Sequence, residues 1–256
     1  MPVYKIVVAY DGTDYRGWQE QAQGSTVAGT LKRTFQHVFK QDIALLGASR
    51  TDAGVHAFGQ VASVRSALVL GPERLKIAWN GKLPRDITIR EVSHVDDAYN
   101  PHHFVAEKEY IYTVAIERPL PFQARYQWFY RGHITLDKLM EALTIFVGIH
   151  DFRSFCCSEY TGDTVRTINS ITINHQSPTV FAITFKAPGF LRYMIRRLVG
   201  ASLNIASHYH LSVDYLASIL HAKNPEHTLE NAPPHGLVLQ AIYYHVPHAN
   251  STNNTP

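Results

Sequence analysis

The chain has 256 residues, enough for one large domain or two packed subdomains. Its 45% hydrophobic and 18% charged residues give an ordinary globular balance, and a net charge of +3 tolerates a polyanionic partner without requiring one. No apolar run approaches the roughly 18 residues of a membrane span, and the opening Met1-Pro-Val-Tyr-Lys-Ile lacks the layout of a secretory signal, so a cytoplasmic, membrane-free protein is expected.

Val3 to Tyr10 alternates and is rich in β-branched residues, which predicts a strand. After the turn Asp11-Gly-Thr-Asp14, residues Val27, Leu31, Phe35, Val38 and Phe39 recur at helical spacing, with Ser25 or Thr26 placed to cap. Ala44 to Ala48 reads as a short buried strand. It runs into the loop Ser49-Arg-Thr-Asp-Ala-Gly54, and extended structure resumes over Gln60 to Arg65. Two further strands are predicted, Ile87 to Val95 and Glu107 to Ile116. The second carries Tyr110, Tyr112, Val114 and Ile116 on one face.

The stretch from Glu117 to Gly132, rich in Pro, Arg and aromatics, reads as the connection between two halves. A helix capped by Thr135 then presents Leu136, Leu139, Met140, Leu143 and Val147, with Gly148 placed to end it. Strands over Ser170 to His175 and Val180 to Lys186 follow, then helices over Gly189 to Ala206 and Ser212 to Leu220, and a last strand over Leu237 to Val246. The polar run from Ala249 to Pro256 cannot bury apolar area and reads as a disordered tail. The expected class is α+β: two similar units, 1–116 and 135–247, joined by a connection over 117–134. Their antiparallel or mixed sheets lie side by side, with helices on the outer face and a cleft between the units. The tail is assigned to 248–256.

Asp52 is the most informative carboxylate. It sits in a loop beside Gly54, which admits backbone conformations closed to other residues. Arg50 lies two residues earlier; in an extended segment it points the same way, and its charge would keep Asp52 ionised. An Asp that caps a turn and pairs with an arginine accounts for the same residues. His56 lacks further ligands at metal-site spacing, so no metal is expected. His102-His103 and His208-Tyr-His210 read as surface or packing histidines. On a helix from Gly189, Arg192 and Arg196 share one side, one turn apart, where they can meet phosphates or a buried carboxylate. Tyr110 can stack on a base or simply fill the core. The two neighbouring cysteines, Cys156 and Cys157, imply no disulfide framework. Phosphate-loop, dinucleotide, serine-hydrolase and zinc-spacing motifs are all missing, so no cofactor is expected.

Seven segments in order resemble one family. The loop Ser49-Arg-Thr-Asp-Ala-Gly-Val-His-Ala57 is similar to the signature loop of the TruA family of tRNA pseudouridine synthases. Tyr10-Asp-Gly-Thr-Asp-Tyr-Arg-Gly-Trp-Gln19, Asn80-Gly-Lys-Leu-Pro-Arg-Asp-Ile87, Lys108-Glu-Tyr-Ile-Tyr112 and Gly148-Ile-His-Asp-Phe152 resemble further family segments. So do Gly189 to Arg196 and Ala232-Pro-Pro-His-Gly-Leu-Val-Leu239. The resemblance spans about residues 4 to 244.

The resemblance implies the pseudouridine synthase fold, Asp52 as the attacking carboxylate and Arg50 as the arginine that holds the target base out of its helix. It also implies Tyr110 as the stacking tyrosine, Arg196 as the partner of Asp52, and Leu237 or Leu239 as an apolar wall. A homodimer gripping a tRNA is implied as well, with target uridines on the 3′ side of the anticodon stem-loop. One stretch departs from the family pattern: Asn100-Pro-His-His-Phe-Val-Ala106 carries His103 where the family often has arginine. Two rivals are an RNA-binding or chaperone protein that keeps the fold without the chemistry, and a metal-dependent hydrolase using Asp52, His56 and another histidine.

Overall fold

Alternation builds the first strand: β1 (Val3–Tyr10) buries Tyr4, Ile6, Val8 and Tyr10 while the residues between them stay partly exposed. In the computed structural model, which describes residues 1–227 and 229–245, a loop leads on into α1 (Val27–Phe39). The Thr26 hydroxyl accepts the Gly29 amide, so Thr26 is the cap. β2 (Ala44–Gly47) and β3 (His56–Arg65) are antiparallel neighbours joined by the Asp52 loop.

α2 (Pro72–Asn80) escapes the sequence reading because only Leu75 and Trp79 face inward, too few points to define a period. Trp79 meets Phe35 edge-on at 4.9 Å, and its indole N–H donates to Leu31 O, so α2 packs on α1. The Asn80 side chain brackets the backbone of Ile89, accepting its N–H and donating to its carbonyl, both at 2.8 Å. The Asn-x-x-Leu-Pro segment thus ties α2 to β4 (Ile87–Val95).

β5 (Val105–Ala115) buries Tyr110, Tyr112 and Val114, but Ile116 falls beyond its end and is exposed. The connection adds β6 (Trp128–Phe129), which pairs in parallel with β5. α3 (Leu136–Thr144) starts after Thr135, whose side chain makes no capping bond. The helix stops before Gly148, which instead opens β7 (Gly148–Asp151) at φ +106°. Val147, placed on the helix by periodicity, is exposed. Among the described residues β7 pairs only with β8 (Val165–Ile168). β9 (Ser170–Ser177), β10 (Val180–Ala187), α4 (Met194–Ser207), α5 (Val213–Ala222) and β11 (Leu237–Tyr244) follow. Ser212, the first residue of the predicted helix, is the cap of α5, its hydroxyl accepting the Tyr215 amide. The helix predicted from Gly189 begins five residues later, because Tyr193 takes left-handed backbone angles (φ 67°) that interrupt it. The predicted tail, 248–256, lies outside the described residues, as does the end of the last predicted strand.

The strands of both halves join in one nine-stranded mixed sheet, in the order β4-β1-β3-β11-β5-β10-β9, with β2 added on β3 and β6 on β5. β11, from the end of the chain, enters between β3 and β5. Its Val238 and Leu239 meet His56 and Ala57 in parallel, and Leu239 opposes Tyr110. The start of β3, and so the loop that precedes it, stands beside the entry of the inserted strand.

Candidate active site

The loop 48–55 is held from three directions. Gln60 brackets Ser49, accepting its N–H at 3.2 Å and donating to its carbonyl at 2.5 Å. The Tyr10 hydroxyl bonds Thr51 Oγ1 at 2.7 Å in the core. The Trp18 amide donates to Thr51 O, and the Gly54 amide to Tyr15 O. Gly17 (φ +86°) passes so close that a Cβ there would stand 2.5 Å from Thr51 O. The opening segment Tyr10 to Gln19 is thus the clamp of the loop, and this explains its composition.

Held so, Asp52 faces α4 across 144 residues of sequence. Arg196 Nη1 donates to its Oδ2 at 3.4 Å, while Arg196 Nε donates to Ala232 O at 2.7 Å. Burial raises the Asp52 carboxyl above the usual carboxylate range; Arg196 and then Arg192 oppose this without cancelling it. Spacing pointed to Arg50 as the partner of Asp52 and the family resemblance to Arg196; the pair in the structure is the second. Residues 48–52 are not a strand, so alternate residues need not share a direction, and Arg50 is exposed without a carboxylate within 4.0 Å among the described residues.

Tyr193 meets two guanidiniums. Arg192 Cζ lies 4.7 Å and Arg196 Cζ 5.5 Å from its ring centre, and Arg192 also donates to its hydroxyl at 2.7 Å.

Tyr110 is buried, its ring edge-on to Phe190 at 5.4 Å and its hydroxyl bonded to Ser49 Oγ at 2.9 Å. Burial, helped by the Asp52 charge and opposed by the Ser49 bond, pushes its hydroxyl up to about 12. Lys108, two residues earlier on the same strand face, donates to Ala48 O at 2.8 Å and Ser49 Oγ at 3.3 Å. Burial pulls its ammonium down to about 8.

These residues line one cavity of about 1170 Å³. Asp52, Arg50, Tyr110, Arg196 and Leu237 all border it; Leu239, fully buried, does not. Its wall carries six cationic side chains, Arg16, Arg50, Lys108, Arg166, Arg192 and Arg196, against two carboxylates, Asp52 and Glu159. The excess of positive charge suits a polyanion. Sequence reasoning missed Arg16 and Arg166 as cavity residues; neither has a local signal. His102, read as a surface or packing histidine, is exposed and also borders the cavity.

His56 is structural. Its buried ring accepts the Gly12 amide on Nδ1 at 3.0 Å and donates Nε2–H to Arg125 O at 3.1 Å. Burial lowers its pKa although Asp11 Oδ1 lies 3.0 Å from Nδ1 and opposes this, in keeping with the neutral ring that accepting the Gly12 amide requires. Among the described residues no group of three or more His, Cys, Asp or Glu side chains is arranged to hold a metal ion.

Residues 6–102 and 142–245 match the model of a family described as tRNA pseudouridine synthase. The chain belongs to that family. The tRNA pseudouridine synthase A of Thermodesulfovibrio yellowstonii is 35% identical over 251 residues, covering 94% of this chain and 98% of the relative. The tRNA pseudouridine synthase A 1 of Protochlamydia amoebophila is 35% identical over 250 residues, covering 95% and 97%. The tRNA pseudouridine synthase A of Aquifex aeolicus is 33% identical over 244 residues, covering 94% and 99%. These relatives match along nearly their whole length, as expected of a TruA family member. Arg50, Asp52, Arg196 and Leu237 lie within the matched segments; Tyr110 lies between them.

Proposed function

We propose that this chain is a tRNA pseudouridine synthase, isomerising uridine to pseudouridine in tRNA with Asp52 as its catalytic carboxylate. One observation carries the site assignment: Asp52 is paired with Arg196 at 3.4 Å inside a cavity otherwise dominated by cations. The reaction breaks the bond from uracil N1 to C1′, turns the base, and joins C5 to C1′. C5 loses a proton and N1 gains one, so no oxidant or energy source is consumed. The target base must first leave its stack, at a cost of a few kcal/mol. Tyr110 and Phe190 offer aromatic surface to a base in the cavity, Leu237 an apolar wall, and Arg50 at the rim a cation to hold the displaced strand.

Asp52 acts in its ionised form, as nucleophile at C1′ or at uracil C6, or as base at C2′. Arg196 keeps that form accessible against the burial that opposes it. The family resemblance supports uridines on the 3′ side of the anticodon stem-loop as targets, a homodimer that grips one tRNA with both subunits, and a cytoplasmic location. No helix among the described residues is long and apolar enough to cross a membrane.

The test is tritium release from tRNA labelled at uridine C5, comparing wild type with Asp52→Asn. Release by the wild type alone is expected. Equal release by both would remove Asp52 from the chemistry. No release by either, with tRNA still bound, would favour an RNA-binding protein without activity.

A further inference from the structure

Lys108 is a cation in the cavity wall with no assigned task. It projects from β5 on the same face as Tyr110. Its ammonium has three donors, of which two are used, on Ala48 O and Ser49 Oγ. Both acceptors are neutral, and among the described residues no carboxylate lies within 4.0 Å of it. Asp52 is engaged by Arg196 instead. The titratable groups near Lys108 do not supply an anion either. Arg50 adds positive charge, burial and the neighbouring cations Lys108 and Arg50 hold His102 below the ordinary imidazole range, and Tyr110, reached through Ser49, stays neutral up to about 12.

A charge set into a wall without a counter-ion is unfavourable until one arrives. Holding the loop does not require a charge: Gln60 fixes both backbone groups of Ser49 with neutral amide bonds, whereas Lys108 spends a cation on the neutral Ala48 O and Ser49 Oγ. Arg196 is paired with Asp52 and Arg166 lies 3.9 Å from Asp163. Lys108 differs from these in facing the cavity unpaired, beside the tyrosine offered to the base.

We propose that Lys108 receives a backbone phosphate of the RNA strand that enters the cavity, next to the displaced nucleotide. The inference rests on tRNA being the ligand, as argued above. Phosphate then completes the ammonium's set of acceptors, and the strand is anchored one residue pair away from the Tyr110 ring. Because burial holds the ammonium near the neutral range in the empty protein, anchoring weakens as pH rises through about 8.

The experiment measures tRNA dissociation constants in an Asp52→Asn background, so that binding is read without turnover. Salt is varied at pH 7, and pH from 7 to 9.5 at fixed salt. Three further substitutions are compared in that background: Lys108→Met, Lys108→Arg and Ser49→Ala. Lys108→Met is expected to weaken binding about tenfold and to lower the slope of log affinity against log salt by about 0.7–0.9, the share of one phosphate. It should also flatten the alkaline loss of affinity. Lys108→Arg should restore the salt slope. Ser49→Ala, which removes the internal acceptor but keeps the charge, should leave the slope as in the parent. An unchanged slope in Lys108→Met, whatever happens to turnover, would make Lys108 an internal clamp and overturn the proposal alone. Failure of the wild-type protein to bind tRNA would overturn the functional reading together with it.

Discussion

Arg196→Gln tests whether the carboxylate and its guanidinium work as one unit. At 3.4 Å the pair attracts by about 5 kcal/mol if the effective dielectric is about 20. Fully exposed pairs retain only about 0.2–1 kcal/mol, whereas breaking a buried pair costs about 3–5. Here Arg196 is 12% and Asp52 20% exposed, so a coupling of about 2 kcal/mol is expected, between those bounds. The bond from Arg196 Nε to Ala232 O adds about 1 kcal/mol. In urea titrations at pH 7, Arg196→Gln should therefore lose about 3 kcal/mol alone but only about 1 in an Asp52→Asn background.

The pH behaviour has a definite sign. The folded-state pKa of Asp52 is raised, so the stability tied to it is full below the unfolded value and is lost as pH rises through the folded value. Asp52→Asn should thus be neutral or stabilising at pH 7 while abolishing turnover. Arg196→Gln removes the largest opposing charge, which moves the acid limb of kcat/KM to higher pH. A coupling below about 0.5 kcal/mol together with an unmoved acid limb would refute the pairing as a functional unit.

Tyr110→Phe loses the Ser49 bond, about 1 kcal/mol of stability, yet should keep most of its kcat/KM. Tyr110→Ala should lose about 5- to 150-fold, the worth of one stacked base. Equal losses in both would show that the hydroxyl takes part in the chemistry. At position 193, Tyr193→Gly should melt above Tyr193→Ala by the equivalent of about 1 kcal/mol, since both lose the ring but only alanine keeps the left-handed penalty. Identical melting would argue against that backbone conformation. Gly17→Ala places a methyl 2.5 Å from Thr51 O; it should displace the Asp52 loop, so that turnover at a temperature where the variant is fully folded falls well below wild type. Normal turnover there would separate the opening segment from the site.

Much of the fold was legible because its signals are local. β1 alternates from Tyr4 onward, α1 repeats its apolar residues at helical spacing behind a capping threonine, and β5 reads as a strand from its period. The elements that escaped are those with few inward residues: α2 with two, β6 with two residues in all, and the short β7 and β8. The insertion of β11 between β3 and β5 has no local signature either, since it depends on pairing across most of the chain. Asp52 stood out because a polar, glycine-containing loop interrupts two strands. Its true partner did not. The same-face argument that favoured Arg50 holds only inside a strand, and this segment has left the ladder. Spacing offered Arg192 and Arg196 together to phosphates or a buried carboxylate; only the family resemblance paired Arg196 with Asp52.

The misplaced start of α4 is the most instructive difference, because every local signal there favours helix. Phe190, Leu191, Met194 and Ile195 recur at helical spacing, and a continuous helix would set Arg192 and Arg196 side by side as like charges one turn apart, an unfavourable pair. The chain instead adopts left-handed angles at Tyr193, at a cost of about 1–2 kcal/mol for a residue with a Cβ. That single turn brings the tyrosine ring within reach of both guanidiniums. Two cation–π contacts, each worth about 0.5–1 kcal/mol where solvent reaches them, offset most of the cost. Both arginines are left close enough to oppose the burial of Asp52, with Arg196 aimed at its carboxylate. An uninterrupted helix would satisfy the local sequence better and would lose that arrangement. The strain therefore sits where the charge on Asp52 is controlled, which is the place where selection on chemistry can outweigh local helix propensity.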